Sequence, residues 1–155
     1  MRLVNHLNEV LEIKVDQYTY ENIENLFPDS DALDATFSIE KGEIRFKREL
    51  KFLLIEELEL LDKWFTLVST SAKHRKSLKF LDVDLECKRY TRGNILYMKI
   101  VFSDYYEEST REPISWDFII NKKNVHLMSM EIQKTLKEFP CRCGMEHDCF
   151  KLLED

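Results

Sequence analysis

Glycine and proline are scarce in this 155-residue chain, three of each. So little glycine argues against a phosphate-cradling loop or a repeat solenoid, and so little proline and glycine argues against a long flexible linker. None of the patterns G-x-G-x-x-G, G-x-x-x-x-G-K-[ST] or G-x-S-x-G occurs, so the corresponding nucleotide-binding and hydrolase readings lose their main support. Long apolar runs are missing too. The stretch Phe52–Ile55 reaches four residues, against the ~18–20 needed to cross a bilayer. The opening MRLVNHLNEVLEIKVDQ is charged every few residues and has no apolar centre of a signal peptide. A cytoplasmic location is therefore expected, where thiols stay reduced and cysteines serve as free thiols or metal ligands rather than disulfides.

What is present fits a folded domain. The chain is 44% hydrophobic and 12% aromatic, which makes wholesale disorder untenable. Its formal charge of −6 opposes nonspecific contact with nucleic acid or anionic membrane and is compatible with a basic protein partner.

Hydrophobic periodicity predicts the elements. Leu11, Ile13 and Val15 alternate with Glu12, Lys14 and Asp16, as a half-buried strand requires. Phe37 and Ile39 repeat the pattern, and so do Ile44 and Phe46 after a hairpin turn at Lys41-Gly42. The period then lengthens: Leu54, Leu58, Leu61, Phe65 and Val68 line one helix face, with Glu56 and Glu57 suited to the positive end of its dipole. Three strands are expected next, in LKFLDVDLECKRY, ILYMKIVF and PISWDFII. Asn121 is placed to cap a second helix carrying Val125, Met128, Ile132, Leu136 and Phe139, with Pro140 ending it. The expected fold is α+β, an antiparallel sheet of about six strands with both helices on one face, in the order β-β-β-α-β-β-β-α. Residues 1–140 would form this domain and 141–155 a cysteine-rich tail.

Several stretches invite a chemical reading. In the tail, Cys141, Cys143, His147 and Cys149 have the donor chemistry of a zinc site, and Cys-x-Cys-Gly resembles the start of the short SEC-C zinc-binding motif. The spacing is not the common C-x₂-C, so zinc ligation and free thiols both stay open, and any zinc would be structural. DSDALDATFSIE places Asp29, Asp31 and Glu40 at calcium-loop positions but has Asp34 where glycine is required, so that reading fails. The stretch from Tyr20 to Asp34 holds Glu21, Glu24, Asp29, Asp31 and Asp34 with Tyr20 and Phe27 and no base. Rings to anchor and carboxylates to steer suit a basic protein surface; a plain solvated connector is the alternative. SDYYEESTRE offers the same chemistry through Asp104, Tyr105, Tyr106, Glu107 and Glu108. Asp82, Asp84 and Glu86 read as the wet face of a strand. His6, His74 and His126 are scattered, and nothing marks a catalytic base. No enzyme is expected.

The second half of the chain resembles the WapI-type immunity family, cytoplasmic inhibitors paired with bacterial polymorphic toxins. WDFIIN (Trp116 to Asn121), the amphipathic helix after it and the closing FPCR (Phe139 to Arg142) carry the resemblance, with LLIEELELLDKWFTLV after a hairpin. It implies a small antiparallel-sheet domain that binds and blocks a toxin domain, often a nuclease, without chemistry of its own. A zinc-stabilised adaptor domain is the alternative.

Overall fold

The computed structural model describes residues 1–20, 31–70, 77–80, 85–103 and 113–142, with backbone alone over 67–70. Two antiparallel meanders are each followed by a helix. β1 (Arg2–Val4), β2 (Val10–Tyr18), β3 (Ala32–Lys41) and β4 (Ile44–Leu54) pair in chain order, and α1 (Ile55–Thr70) follows. β5 (Ser77–Lys79), β6 (Leu85–Arg92), β7 (Ile95–Phe102) and β8 (Ile114–Ile120) form the second sheet, followed by α2 (Lys122–Glu138).

The α+β class and the order of the longer elements agree with the sequence reading; the strands form two sheets of four rather than one of six. The two extra strands, β1 and β5, are three residues each, too short to show alternation. LKFLDVDLECKRY is not one strand. Leu78 and Lys79 pair back onto Cys87 and Glu86, so the stretch folds on itself between β5 and β6.

Local chemistry explains the joints. Gly42 and Gly93 each come first in a two-residue hairpin connection, at φ 59° and 61°. A Cβ at either glycine would meet nothing within 4 Å, so conformation rather than space calls for glycine there. At the start of α1 the backbone N–H of Leu54 donates to the Glu57 carboxylate at 3.1 Å, which holds one of the orphan groups of the helix end. Asn121 caps α2 as expected. Its side chain accepts from the N–H groups of Lys123 and Asn124, and the Asn124 side chain returns a bond to the Asn121 N–H.

One core unites the halves. Phe37, Phe65, Trp64, Phe80 and Phe118 are among its fully buried side chains, and both sheets and both helices contribute to it. Between the sheets, Phe46 of β4 lies 4.8 Å from Trp116 and 5.7 Å from Phe102, centroid to centroid, and Phe37 stacks on Phe102 at 6.4 Å. A polar chain runs alongside these rings. Asn5 donates to Glu9 at 2.6 Å, Glu9 pairs with Lys41 at 3.3 Å, and the Lys41 ammonium donates to the Asp117 carbonyl of β8. The helices pack together, and Asp62 of α1 accepts from Ser129 and Gln133 of α2. Ile44, expected to share the buried face of Phe46, is instead 52% exposed at the hairpin end.

Candidate partner-binding site

The segment that follows α2, residues 139–142, comes back to the junction of β2 and β3. There Thr19 donates its backbone N–H to the Ala32 carbonyl at 2.8 Å, and residues 21–30 connect the two strands. Asp31, at the head of β3, is 2% exposed. Its carboxylate accepts the backbone N–H of Arg142 at 2.6 Å and the thiol of Cys141 at 3.0 Å. The Arg142 guanidinium lies 3.5 Å from the centroid of the Tyr18 ring, a close cation–π contact, and donates to the Tyr20 carbonyl at 2.9 Å. The Tyr18 hydroxyl donates to the Pro140 carbonyl at 2.7 Å, and its ring meets Phe139 edge-on at 5.4 Å. Burial pushes the Tyr18 phenol up from its ordinary value, and the Arg142 charge opposes that in part. Phe139, Pro140, Cys141 and Arg142 therefore act together as a clasp on the β2–β3 end.

At the rim of the clasp stands Tyr20, 42% exposed, with its ring centroid 6.2 Å from that of Phe52. Asp34 is half-buried and accepts from the Thr19 hydroxyl at 2.9 Å and from Gln17 at 3.4 Å.

The expected contact residues thus divide. Tyr20 is exposed and Asp34 is partly so. Asp31 is not a surface carboxylate: buried and bonded to Cys141 and Arg142, it fastens the fold and leaves the expected contact set. Glu21, Glu24, Phe27, Asp29, Asp104, Tyr105, Tyr106, Glu107 and Glu108 lie outside the described residues. So do Cys143, His147 and Cys149 of the tail. Cys141 is described, and its thiol must be protonated to donate to Asp31, whereas zinc takes the thiolate. Among the described residues no group of three or more His, Cys, Asp or Glu is arranged to hold a metal ion. Of the strand row only Glu86 is described, and it pairs with Lys88 at 2.8 Å. Sequence reasoning passed over Tyr18 and Phe52. Neither carries a sequence signal, because one works through a residue 122 positions away and the other through a bulge.

The arrangement of Phe139 to Arg142 gives physical content to the closing motif noted in the sequence. A family model, the immunity protein WapI-like family, matches residues 2–140. The chain belongs to the WapI-like immunity family. No curated protein matches it. WapI-like proteins are immunity proteins, a class that binds toxin partners and is generally non-catalytic. In this member the match takes in both sheets and both helices, and ends at Pro140, the residue whose carbonyl Tyr18 holds. Among the described residues no helix is long and apolar enough to cross a membrane.

Charge in this WapI-like chain is unevenly placed. Eighteen of its 23 basic residues but only sixteen of its 29 acidic ones fall among the described residues. The framework is therefore slightly basic, and the net negative charge belongs to the remaining segments. Two of these, 81–84 and 104–112, leave from the same end of the second sheet, because Leu85 pairs with Phe102 and Phe102 with Ile114.

Proposed function

We propose that this protein neutralises a cognate toxin domain by stoichiometric binding in the cytoplasm, through acidic, ring-bearing connections between its strands. The family match over residues 2–140 carries the reading. The placement of charge supports the finer part of it. A framework with a small positive balance offers little to a basic partner, whereas the connections 21–30 and 104–112 hold seven carboxylates against one arginine. A nuclease toxin must be basic where it holds phosphates, so such connections speed its capture and compete with nucleic acid for the same face. Tyr20, Glu21, Glu24, Phe27, Asp29 and Asp34 form one proposed contact group, and Asp104, Tyr105, Tyr106, Glu107 and Glu108 the other.

The test is a variant with Glu21, Glu24, Asp29, Asp104, Glu107 and Glu108 all changed to their amides. Its association with the toxin domain should slow by about tenfold or more at low salt and lose most of its ionic-strength dependence. Association at the wild-type rate, with the wild-type salt slope, would reject the acidic surface. No cofactor is part of this mechanism. Metal analysis of the purified chain checks that directly: about one zinc per chain, lost in Cys143→Ser, would favour the adaptor alternative.

A further inference from the structure

Arg142 touches both sides of the connection 21–30. Its guanidinium donates to the carbonyl of Tyr20, the residue before that connection, at 2.9 Å. Its backbone N–H donates to the carboxylate of Asp31, the residue after it, at 2.6 Å. The planar guanidinium also lies 3.5 Å from the centroid of the Tyr18 ring, which limits how the side chain can turn. Pairing of the strands does not call for these bonds. Tyr18 already faces Leu33 in the ladder, and the Thr19 N–H already donates to the Ala32 carbonyl at 2.8 Å. The register of β2 and β3 is closed without Arg142. What the residue adds is a fixed position for Tyr20.

Tyr20 is gripped from its ring side as well. The ring is 42% exposed and lies 6.2 Å from that of Phe52, centroid to centroid. Phe52 reaches it from the left-handed region, at φ 64°, where an L side chain is disfavoured. It does so from a bulge in which Lys51 and Phe52 together oppose Asp34. With Arg142 on its backbone and Phe52 against its ring, Tyr20 is exposed yet already oriented. An exposed aromatic side chain that is ordered before binding loses little entropy when a partner covers it, and such rings dominate interfaces. Arg142 itself is half-buried, and its side chain is engaged by Tyr18 and Tyr20. It acts through Tyr20 rather than by touching the partner.

We propose that Arg142 is a positioning residue for toxin recognition, holding Tyr20 in the orientation in which the toxin domain meets it. This deepens the proposed function and rests on it. Arg142→Ala and Arg142→Lys both keep the backbone N–H that bonds Asp31, so both chains should stay folded. Neither offers a planar fork that stacks on Tyr18 while reaching the Tyr20 carbonyl. Two measurements decide the matter. Without toxin, nuclear Overhauser contacts between the Tyr20 and Phe52 rings should be present in wild type and weakened at least severalfold in Arg142→Ala. Titrated with the isolated toxin domain, Arg142→Ala should bind about tenfold more weakly and Arg142→Lys at least severalfold more weakly. In a Tyr20→Ala background the further loss from Arg142→Ala should nearly vanish. Asn121→Ala, which loosens α2 away from these bonds, should bind within about twofold of wild type; an equal loss there would assign the Arg142 effect to stability alone. Unchanged ring contacts, wild-type affinity in either Arg142 variant, or a loss that adds in full to that of Tyr20→Ala would overturn the positioning role. Failure of the wild-type chain itself to bind the toxin domain would reject the functional reading, and this inference with it.

Discussion

At the scale of single residues, Asp31 shows how a surface-looking carboxylate becomes a structural one. In DSDALD nothing separates it from Asp29 or Asp34, yet it is buried, with donors supplied by Cys141 and Arg142. Asp31→Ala would leave the Arg142 N–H without this acceptor and should lower stability by about 1–3 kcal/mol in urea unfolding; an unchanged midpoint would show the clasp to be idle. Cys87 supplies a second residue-scale prediction. Burial pushes its thiol up to about 12 from an ordinary 9.0. The folded state therefore favours the neutral thiol, while the unfolded chain ionises first. Stability from this group is complete below pH about 9 and is lost as pH rises toward 12, at up to about 1.4 kcal/mol per unit. Wild type should thus lose more stability than Cys87→Ala between pH 9 and 11, and equal losses would contradict the assignment.

At the scale of elements, the alternation of Leu11 and Ile13, the helical spacing through Leu58, Leu61 and Phe65, and the Asn121 cap were all readable because each depends on near neighbours in sequence. What could not be read depends on partners far along the chain. The split into two sheets turns on rings that meet between them, Phe46 with Trp116, and on the Lys41 link from β3 to β8. No local pattern encodes which of six similar amphipathic strands share a sheet. The candidate site divides in the same way: Tyr20 was legible as an exposed ring near carboxylates, whereas Phe52 depends on a backbone conformation that sequence does not announce. Two substitutions probe the elements. Lys41→Met removes the donor to the Asp117 carbonyl and the cationic partner of buried Glu9, leaving Glu9 its bond from Asn5, and should cost about 1–3 kcal/mol. Asn121→Ala removes the α2 cap and should cost about 1 kcal/mol. Equilibrium unfolding measures both, and a larger loss at Asn121 than at Lys41 would reverse the ranking.

At the scale of the whole molecule, the division of charge connects fold to function. The framework includes basic strands such as β4, with Arg45, Lys47, Arg48 and Lys51 exposed, and Lys and Arg on an edge strand discourage chains from pairing edge to edge. The excess of acidic over basic residues lies in the segments outside that framework. If the connections carry recognition, as proposed, specificity can be altered there alone. Grafting the connections 21–30 and 104–112 onto a WapI-like scaffold specific for another toxin should therefore transfer recognition of this chain's toxin; retention of the scaffold's original specificity would place recognition in the framework instead.

The central claim is neutralisation by occupancy without turnover. Adding the purified chain to a fixed amount of active toxin domain, and following residual toxin activity against the molar ratio, tests it most directly. Activity should fall linearly to zero near one equivalent, and the released toxin should be chemically unaltered and fully active. Inactivation by a small fraction of an equivalent, or full activity in the presence of excess chain, would contradict the account.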